Sequence, residues 1–226
     1  MSKELIEFTP EQKKIIRKQF FPPNATDDDM IYCMNIASSL GLNPILKEIF
    51  FVTRRVLING QWVEKVEPMV GRDGYIKIAH NTGLFAGMET ISKIEKVPTL
   101  ENGEWVEKND LVSTCKVWRK DTDIPFVVTV RYSEYVQKTK TGEVTKFWRD
   151  KPDTMQKKVA ESQALRKAFS INGVYSIEEV SDVEFDEGQR ASANQIKAQP
   201  DPMQEENVQD IQVEDITEVN IDEIPI

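Results

Sequence analysis

Apolar and polar positions change rhythm several times along these 226 residues, and each change marks an element. Thr9-Pro10-Glu11-Gln12 is a capping box with proline at the first helical position, which predicts a short helix to about Lys18. Phe20-Phe21-Pro22-Pro23 breaks it. Thr26 followed by Asp27, Asp28 and Asp29 puts a cap and three carboxylates at the positive end of a second helix, which runs through Ile31, Met34 and Ile36 and stops at Gly41. Glu48 to Ile58 and Gln61 to Val70 are dense in β-branched and aromatic residues, and the Asn59-Gly60 pair between them predicts a hairpin. A helix is expected over Arg72 to Asn81, ended by Gly83. Strands are expected over Phe85 to Val97, Leu111 to Arg119 and Phe126 to Tyr132, with a turn at Asn102-Gly103. Gln137 to Lys146 is polar and reads as a mobile basic loop, after which Pro152 opens a long helix ending near Phe169. Without a repeating strand–helix–strand rhythm, this order predicts an α+β fold: a small antiparallel β-sheet with hairpins packed against several helices.

The long helix carries two patterns. On a helix that turns about 100° per residue, Met155, Val159, Ser162, Leu165 and Phe169 share one apolar face, which is expected to pack on the sheet. Arg166 falls on the same face, where it must either pair with a carboxylate or snorkel to the rim, or else contact a phosphate at the edge of a groove. The opposite side shows Ala160, Ala164 and Ala168 flanked by Lys157 and Lys167. Small residues at this spacing admit another backbone, either a second helix or a sugar-phosphate chain.

Charge changes the picture, because it is divided unevenly. The chain has 29 Lys and Arg against 38 Asp and Glu, a formal net charge of −9. Residues 181–226 hold two basic and 13 acidic residues, a net of −11, which leaves residues 1–180 with 27 basic and 25 acidic residues, or +2. The tail is also nearly free of aromatics, so it is expected to be disordered and acidic, and the chain divides into a folded domain at 1–180 and a tail at 181–226. Positive charge gathers late in the folded part: Cys115 to Ser170 counts 13 Lys and Arg against seven Asp and Glu. Such a concentration suits a polyanion, and equally a solvated face. Trp118 lies among Lys116, Arg119 and Lys120, and Trp148 lies between Lys146 and Arg149. Rings beside cations can stack bases while the cations hold phosphates, or the rings can be core.

Several chemistries are poorly supported. Cys33 and Cys115 form no CxxC pair and His80 is the lone histidine, so buried free thiols are expected rather than zinc or disulfides. No GxxxxGK[ST] loop is present for ATP, Gly71-Arg72-Asp73-Gly74 has too few glycines, and no persuasive set of metal-binding carboxylates occurs. His80 reads as a surface residue near a helix end. No apolar run approaches the roughly 20 residues of a membrane span, and the charged start MSKELIEF lacks the apolar region of a signal peptide, so a cytoplasmic protein is expected. A protein that holds nucleic acid without catalytic equipment or cofactor is not expected to be an enzyme.

Four blocks in order, "SSLGLNPILKEIFFV", "PMVGRDGYIKIA" with "GLFAGME", "CKVWRKD" before "PFVVTV", and "WRDKPDTMQKKVAESQALRKAF" followed by "GVYSIEE", resemble the phage single-strand annealing recombinases of the lambda Red beta / RecT family. The resemblance runs from about Thr26 to Glu179 and covers nearly all of the folded part. It implies ATP-independent binding of single-stranded DNA and annealing of complementary strands by a homo-oligomeric ring or filament in a bacterial host cell, with a positively charged groove for the DNA. By motif match it assigns to that groove Lys47, Lys120, Trp148, Pro152, Lys157, Gln163 and Arg166, and less firmly Arg72 and Lys158. Lys116 and Lys167 join this set of DNA-binding candidates from their place beside Trp118 and on the helix flank. The bound forms implied are single-stranded DNA and annealed duplex, and the companions implied are a phage exonuclease or a host single-stranded-DNA-binding protein.

Two readings of other classes stay beside this one: a passive single-stranded DNA or RNA binder that coats strands without annealing them, and a magnesium-dependent nuclease. The tail departs from the family, since the lambda protein carries a substantial helical region where this chain has a short acidic segment ending NIDEIPI. That segment either solubilises, occupies the basic groove when DNA is absent, or docks on a partner.

Overall fold

The computed structural model describes residues 6–139 and 141–180, all within one unit, Met1–Asp186. The acidic tail from Ser181 onward, and with it the expectation of disorder, lies outside the described residues.

The first helix, α1 (Pro10–Phe20), forms where the capping box predicts it. Gln12 N donates to Thr9 Oγ1 at 3.2 Å and Thr9 N to Gln12 Oε1 at 2.9 Å, so two amides that a helix start leaves unpaired are satisfied. The same device starts α2 (Asp27–Leu40), where Thr26 N donates to Asp29 Oδ2 at 2.9 Å and Asp29 N to Thr26 Oγ1 at 3.1 Å. Arg17 joins the two helices through Asp27 Oδ1 at 2.8 Å and Ala25 O at 3.1 Å. Gly41 ends α2 at φ 69°, a left-handed conformation that glycine adopts without strain.

Two hairpins follow. β1 (Ile49–Ile58) and β2 (Gln61–Val70) pair antiparallel around Asn59 and Gly60, both at positive φ, as the primed two-residue turn requires. Helix α3 (Arg72–Asn81) comes next, then β3 (Phe85–Glu101) and β4 (Glu104–Arg119), turning at Asn102-Gly103, and β5 (Phe126–Arg131) on the far side of β4. Short helices α4 (Tyr132–Tyr135) and α5 (Lys146–Asp150) lead to α6 (Pro152–Phe169), and β6 (Tyr175–Ser176) pairs parallel to Met69 and Val70 of β2. The α+β class holds, with the strands divided between two three-stranded sheets, β1-β2-β6 and β3-β4-β5.

The β3–β4 hairpin is longer than its sequence suggests. Strands expected to stop at Val97 and resume at Leu111 stay paired to Glu101 opposite Glu104. Pairs such as Leu100 with Trp105 and Thr99 with Val106, and an ion pair between Lys108 and Glu101, sustain the ladder through a segment whose many charges hide its alternation. Pro98 is tolerated because β3 is an edge strand. The 137–146 segment is likewise more regular than a free loop: Lys138 bridges Val144, Thr139 N donates to Glu143 O at 2.7 Å, and the buried Gln137 Nε2 donates to the carbonyl of Val180 at 3.0 Å.

One core draws on both sheets and on the longer helices, with Ile16, Leu42, Phe51, Tyr75, Cys115, Val117, Val130, Trp148, Val159 and Leu165 among its buried members. Both cysteines are buried free thiols, and burial pushes Cys115 up to about 11 and Cys33 up to about 12. His80 is exposed in the last turn of α3, its ring edge-on to Phe85 at 4.7 Å.

The central element is α6, and it corrects the reading of its two faces. Met155, Val159, Ser162 and Leu165 are buried, but so are Ala160, Ala164 and Ala168. Beside the alanine row, Lys167 Nζ reaches Val127 O of β5 at 3.1 Å and Arg119 Nη1 of β4 donates to Ala168 O at 2.7 Å. The alanines therefore lie over the β3-β4-β5 sheet, where small side chains let the helix approach closely, and they are not a ridge open to another subunit or a DNA strand. Packing at the start of α3 is as close. A Cβ added to Gly74, in the first turn of α3, would stand 2.3 Å from Glu48 O and 2.8 Å from Val70 Cγ1.

Because the obstructing atom is backbone, Gly74→Ala is expected to cost about 2–3 kcal/mol of stability. Urea unfolding followed by tryptophan fluorescence reads this as a lower midpoint with unchanged slope. A midpoint equal to wild type would show that the α3–β1 junction is looser than described.

Candidate nucleic-acid interface

The candidate cations fall into three settings, distinguished by what each charge meets. In the first, along one side of α6, every charge is matched. Arg166 Nη2 pairs with Glu179 Oε2, its Nη1 donates to Val174 O at 3.2 Å, and its guanidinium lies 5.3 Å from the Tyr175 ring centroid. Lys158 Nζ stands 3.7 Å from Glu178 Oε1. Arg72 of α3 lies 2.7 Å from Asp73 and 3.5 Å from Glu161 of α6. The carboxylates are the more deeply buried partners: the side chains of Glu178 and Glu179 are 7% and 8% exposed, against 27% for Lys158 and 19% for Arg166. Burial, together with the neighbouring Glu178, pushes Glu179 up to about 7, against the pull of Arg166. In this structure Arg166 is thus paired with a carboxylate beside the solvent-facing Tyr175 ring.

In the second setting, at the carboxy-terminal end of α6, cations meet carbonyls. Arg119 of β4 donates Nη1 to Ala168 O at 2.7 Å, where the helix end concentrates negative potential, and pairs with Asp121 at 2.5 Å. Its neighbour Lys120 is exposed, with Nζ 3.0 Å from Gly83 O, and Lys167 is exposed, with Nζ 3.1 Å from Val127 O. A carbonyl orients a lysine without cancelling its charge, so Lys120 and Lys167 keep their positive potential at one end of the helix.

The third setting is the exposed surface leading into α6. Lys157 pairs with Asp153 at 2.8 Å, one turn before it, and that bond first and Ser92 second hold the Asp153 carboxyl below its ordinary range. Lys138, Lys146, Arg149 and Lys151 are exposed along 138–151, and Arg149 pairs with Asp150 at 3.2 Å. Lys146 and Arg149 were noted in the sequence only as neighbours of Trp148, and Lys138 and Lys151 were not singled out, although the basic character of the 137–146 segment was a signal for the first of these two.

The remaining candidates are scattered. Lys116, on β4, is 4.0 Å from Glu89 on β3. Lys47 adopts φ 58° after the single turn Pro44–Leu46, half-buried and with no side-chain hydrogen bond or ion pair among the described residues. Gln163 Nε2 donates to Tyr135 Oη at 2.8 Å, which orients α6 against α4. Pro152 occupies the first helical position of α6. Trp148 requires correction: it is fully buried, its ring centroid 5.7 Å from that of Tyr132, and it offers no face for a base to stack on. The apolar environment took a large ring out of water, which outweighs its position between two cations in the sequence. Trp118 is half-buried on the same strand as Lys116.

Among the described residues, no cluster of His, Cys, Asp and Glu is arranged to hold a metal ion, and no helix is long and apolar enough to cross a membrane. The family model for the RecT family matches residues 7–192. The chain is 30% identical over 168 residues to Recombination protein bet of Escherichia phage lambda, an alignment covering 73% of this chain and 56% of that relative. The chain therefore spans little more than half the length of the curated relative it matches.

The raised Glu179 carboxyl gives a pH dependence of known sign. Its folded value of about 7 lies above the ordinary 4.5, so the stability it contributes is fully present below 4.5 and is lost as pH rises through 7. The difference of about 2.5 units corresponds to an order of magnitude of about 3 kcal/mol at most. Urea midpoints should fall between pH 5 and 8.5 in wild type, and Glu179→Gln should flatten that trend. A slope retained in the Gln variant would assign it to another group.

Proposed function

Because the chain belongs to the RecT family, we propose that it binds single-stranded DNA and anneals complementary strands in phage recombination, without ATP, as a ring or filament of identical subunits. The observation that carries this reading is the family match through residues 7–192, which includes all of α6 and the basic segment leading into it. The exposed Lys120 and Lys167, whose charges no carboxylate cancels, are the first contacts for DNA phosphates. Lys47, Lys116 and the surface lysines at 138, 146 and 151 extend the positive surface. Arg72, Lys157, Lys158 and Arg166 join it only where they leave a carboxylate for a phosphate.

Annealing follows from which groups are held. Cations that grip phosphates fix a strand without reading it, so sequence is read by Watson–Crick pairing alone. With Trp148 buried, bases are not stacked on that ring and their edges stay available to a second strand. A complementary strand is retained because base pairing adds to the phosphate contacts, and a mismatched one leaves. Assembly needs surface outside this region. The alanine row of α6 is buried and offers a neighbour no contact, whereas the tip of the β1–β2 hairpin, with Trp62 71% exposed, keeps an apolar group for one. In this reading the protein works in the bacterial cytoplasm, binds the annealed duplex as well as the single strand, and is served by a companion exonuclease or host single-stranded-DNA-binding protein; it is not an enzyme.

A double variant, Lys120→Ala with Lys167→Ala, tests the reading at two exposed positions where folding is not at stake. Removing two phosphate contacts should weaken binding of a fluorescent oligothymidylate about tenfold near 0.1 M salt and reduce the slope of log affinity against log salt by about 1.4. Annealing of complementary oligonucleotides, followed by quenching, should slow in parallel. Unchanged affinity and slope would remove this end of α6 from the interface. If the wild-type protein slows annealing instead of accelerating it, the passive coating protein is the correct reading.

A further inference from the structure

The segment from Val174 to Val180 crosses the side of α6 that carries Lys158 and Arg166, and it is fastened at several points. Tyr175 and Ser176 pair with β2, Tyr75 of α3 donates its hydroxyl to Val174 O at 3.3 Å, and Gln137 Nε2 donates to the carbonyls of Ile177 and Glu178 at 3.3 Å and of Val180 at 3.0 Å. Ser176 Oγ donates to Glu178 Oε2 at 2.8 Å, which aims the other carboxylate oxygen at Lys158. This fastening presents two adjacent carboxylates to two cations of one helix face. The match is incomplete, since Arg166 Nε and Glu179 Oε1 are both buried without a hydrogen-bond partner. A guanidinium whose Nε is unpartnered retains a donor for a further acceptor, and an ionised carboxylate with an unpaired buried oxygen is costly to keep. A phosphate, with more acceptor oxygens and no need to be desolvated to the same depth, is the better partner for both cations.

We propose that Glu178 and Glu179 are internal substitutes for DNA phosphate: in the free protein they neutralise Lys158 and Arg166, and single-stranded DNA engages this face of α6 by taking both cations from them, while Glu179 acquires a proton from solvent. This rests on the reading of α6 as part of the DNA interface. The exchange keeps the face neutral until a strand displaces the carboxylates, so that binding here requires the closely spaced phosphates of a polyanion and not a single small anion. The proton follows from the surroundings. The charged and titratable groups facing the two carboxylates are Lys158 and Arg166 of α6 and Tyr75 of α3, and burial moves the Tyr75 hydroxyl further above neutrality. Once Arg166 turns to a phosphate, Glu179 is left buried beside Glu178, and burial already holds it at about 7. Binding of DNA is thereby coupled to proton uptake near neutral pH.

The test measures affinity for a fluorescein-labelled oligothymidylate by anisotropy, at fixed salt, from pH 6.5 to 8.5. Wild-type affinity should fall above pH 7, by up to about tenfold per unit for one coupled proton. Glu179→Gln should bind about tenfold tighter than wild type at pH 8.5 with a flat profile, and Glu178→Gln should bind severalfold tighter. A wild-type affinity that does not vary with pH overturns the proposal whether or not the variants fold, as does a folded Glu179→Gln protein that binds no tighter. In either case DNA binding sensitive to Lys120→Ala with Lys167→Ala would leave the DNA-binding reading intact, whereas absence of binding by wild type would end both.

Discussion

A charged helix packed against its neighbours over most of its surface is the constraint from which the rest of this structure follows. α6 lies over the β3-β4-β5 sheet through its alanines and against other elements through Met155, Val159 and Leu165, yet its sequence contains Asp153, Lys157, Lys158, Glu161, Arg166 and Lys167. The charges among these that face the packing, Lys158, Glu161 and Arg166, cannot be left alone, because an unpaired buried ion costs several kcal/mol. Each therefore finds a partner. Asp153 takes Lys157, Glu161 takes Arg72, Lys158 and Arg166 take Glu178 and Glu179, and Lys167 leans on a β5 carbonyl. The chain after α6 turns back along the helix and carries the acids that two of these cations require.

That arrangement sorts the cations by availability. Residues 1–180 carry a formal excess of only two positive charges, so a surface that attracts a polyanion must come from where those charges lie. Pairing removes Arg72, Lys158 and Arg166 from the free potential, while carbonyl contacts leave Lys120 and Lys167 their full charge. In the proposed reading, electrostatic attraction of a strand begins at the carboxy-terminal end of α6, and deeper engagement requires partner exchange. A polyanion is suited to that exchange, since many phosphates compete at once for cations that single carboxylates hold.

Much of the fold was legible in the sequence. Capping boxes at Thr9 and Thr26, the Asn59-Gly60 and Asn102-Gly103 turns and Pro152 mark their elements because each is a local requirement, met by backbone and side chains a few residues apart. The outer β3–β4 ladder was not legible, since its support comes from cross-strand pairs such as Leu100 with Trp105 that join residues already separated by a turn. The apolar face of α6 was read as buried, as it is, but the burial of its alanine side was missed for a similar reason. Periodicity shows that two sides of a helix differ, but a row of alanines facing a sheet and a row facing a second helix look alike until the sheet is present.

The candidate interface divides along the same line. The family pattern and the gathering of basic residues between Cys115 and Ser170 are properties of the sequence by itself, as is the division of charge between residues 1–180 and 181–226. Which cations are free, which are paired, and whether Trp148 is surface or core were decided by tertiary structure alone. The physical reason is that a side chain's charge is fixed by its chemistry, whereas its potential depends on burial and on partners brought from distant positions: Glu179 meets Arg166 13 residues away, and Lys167 meets Val127 40 residues away.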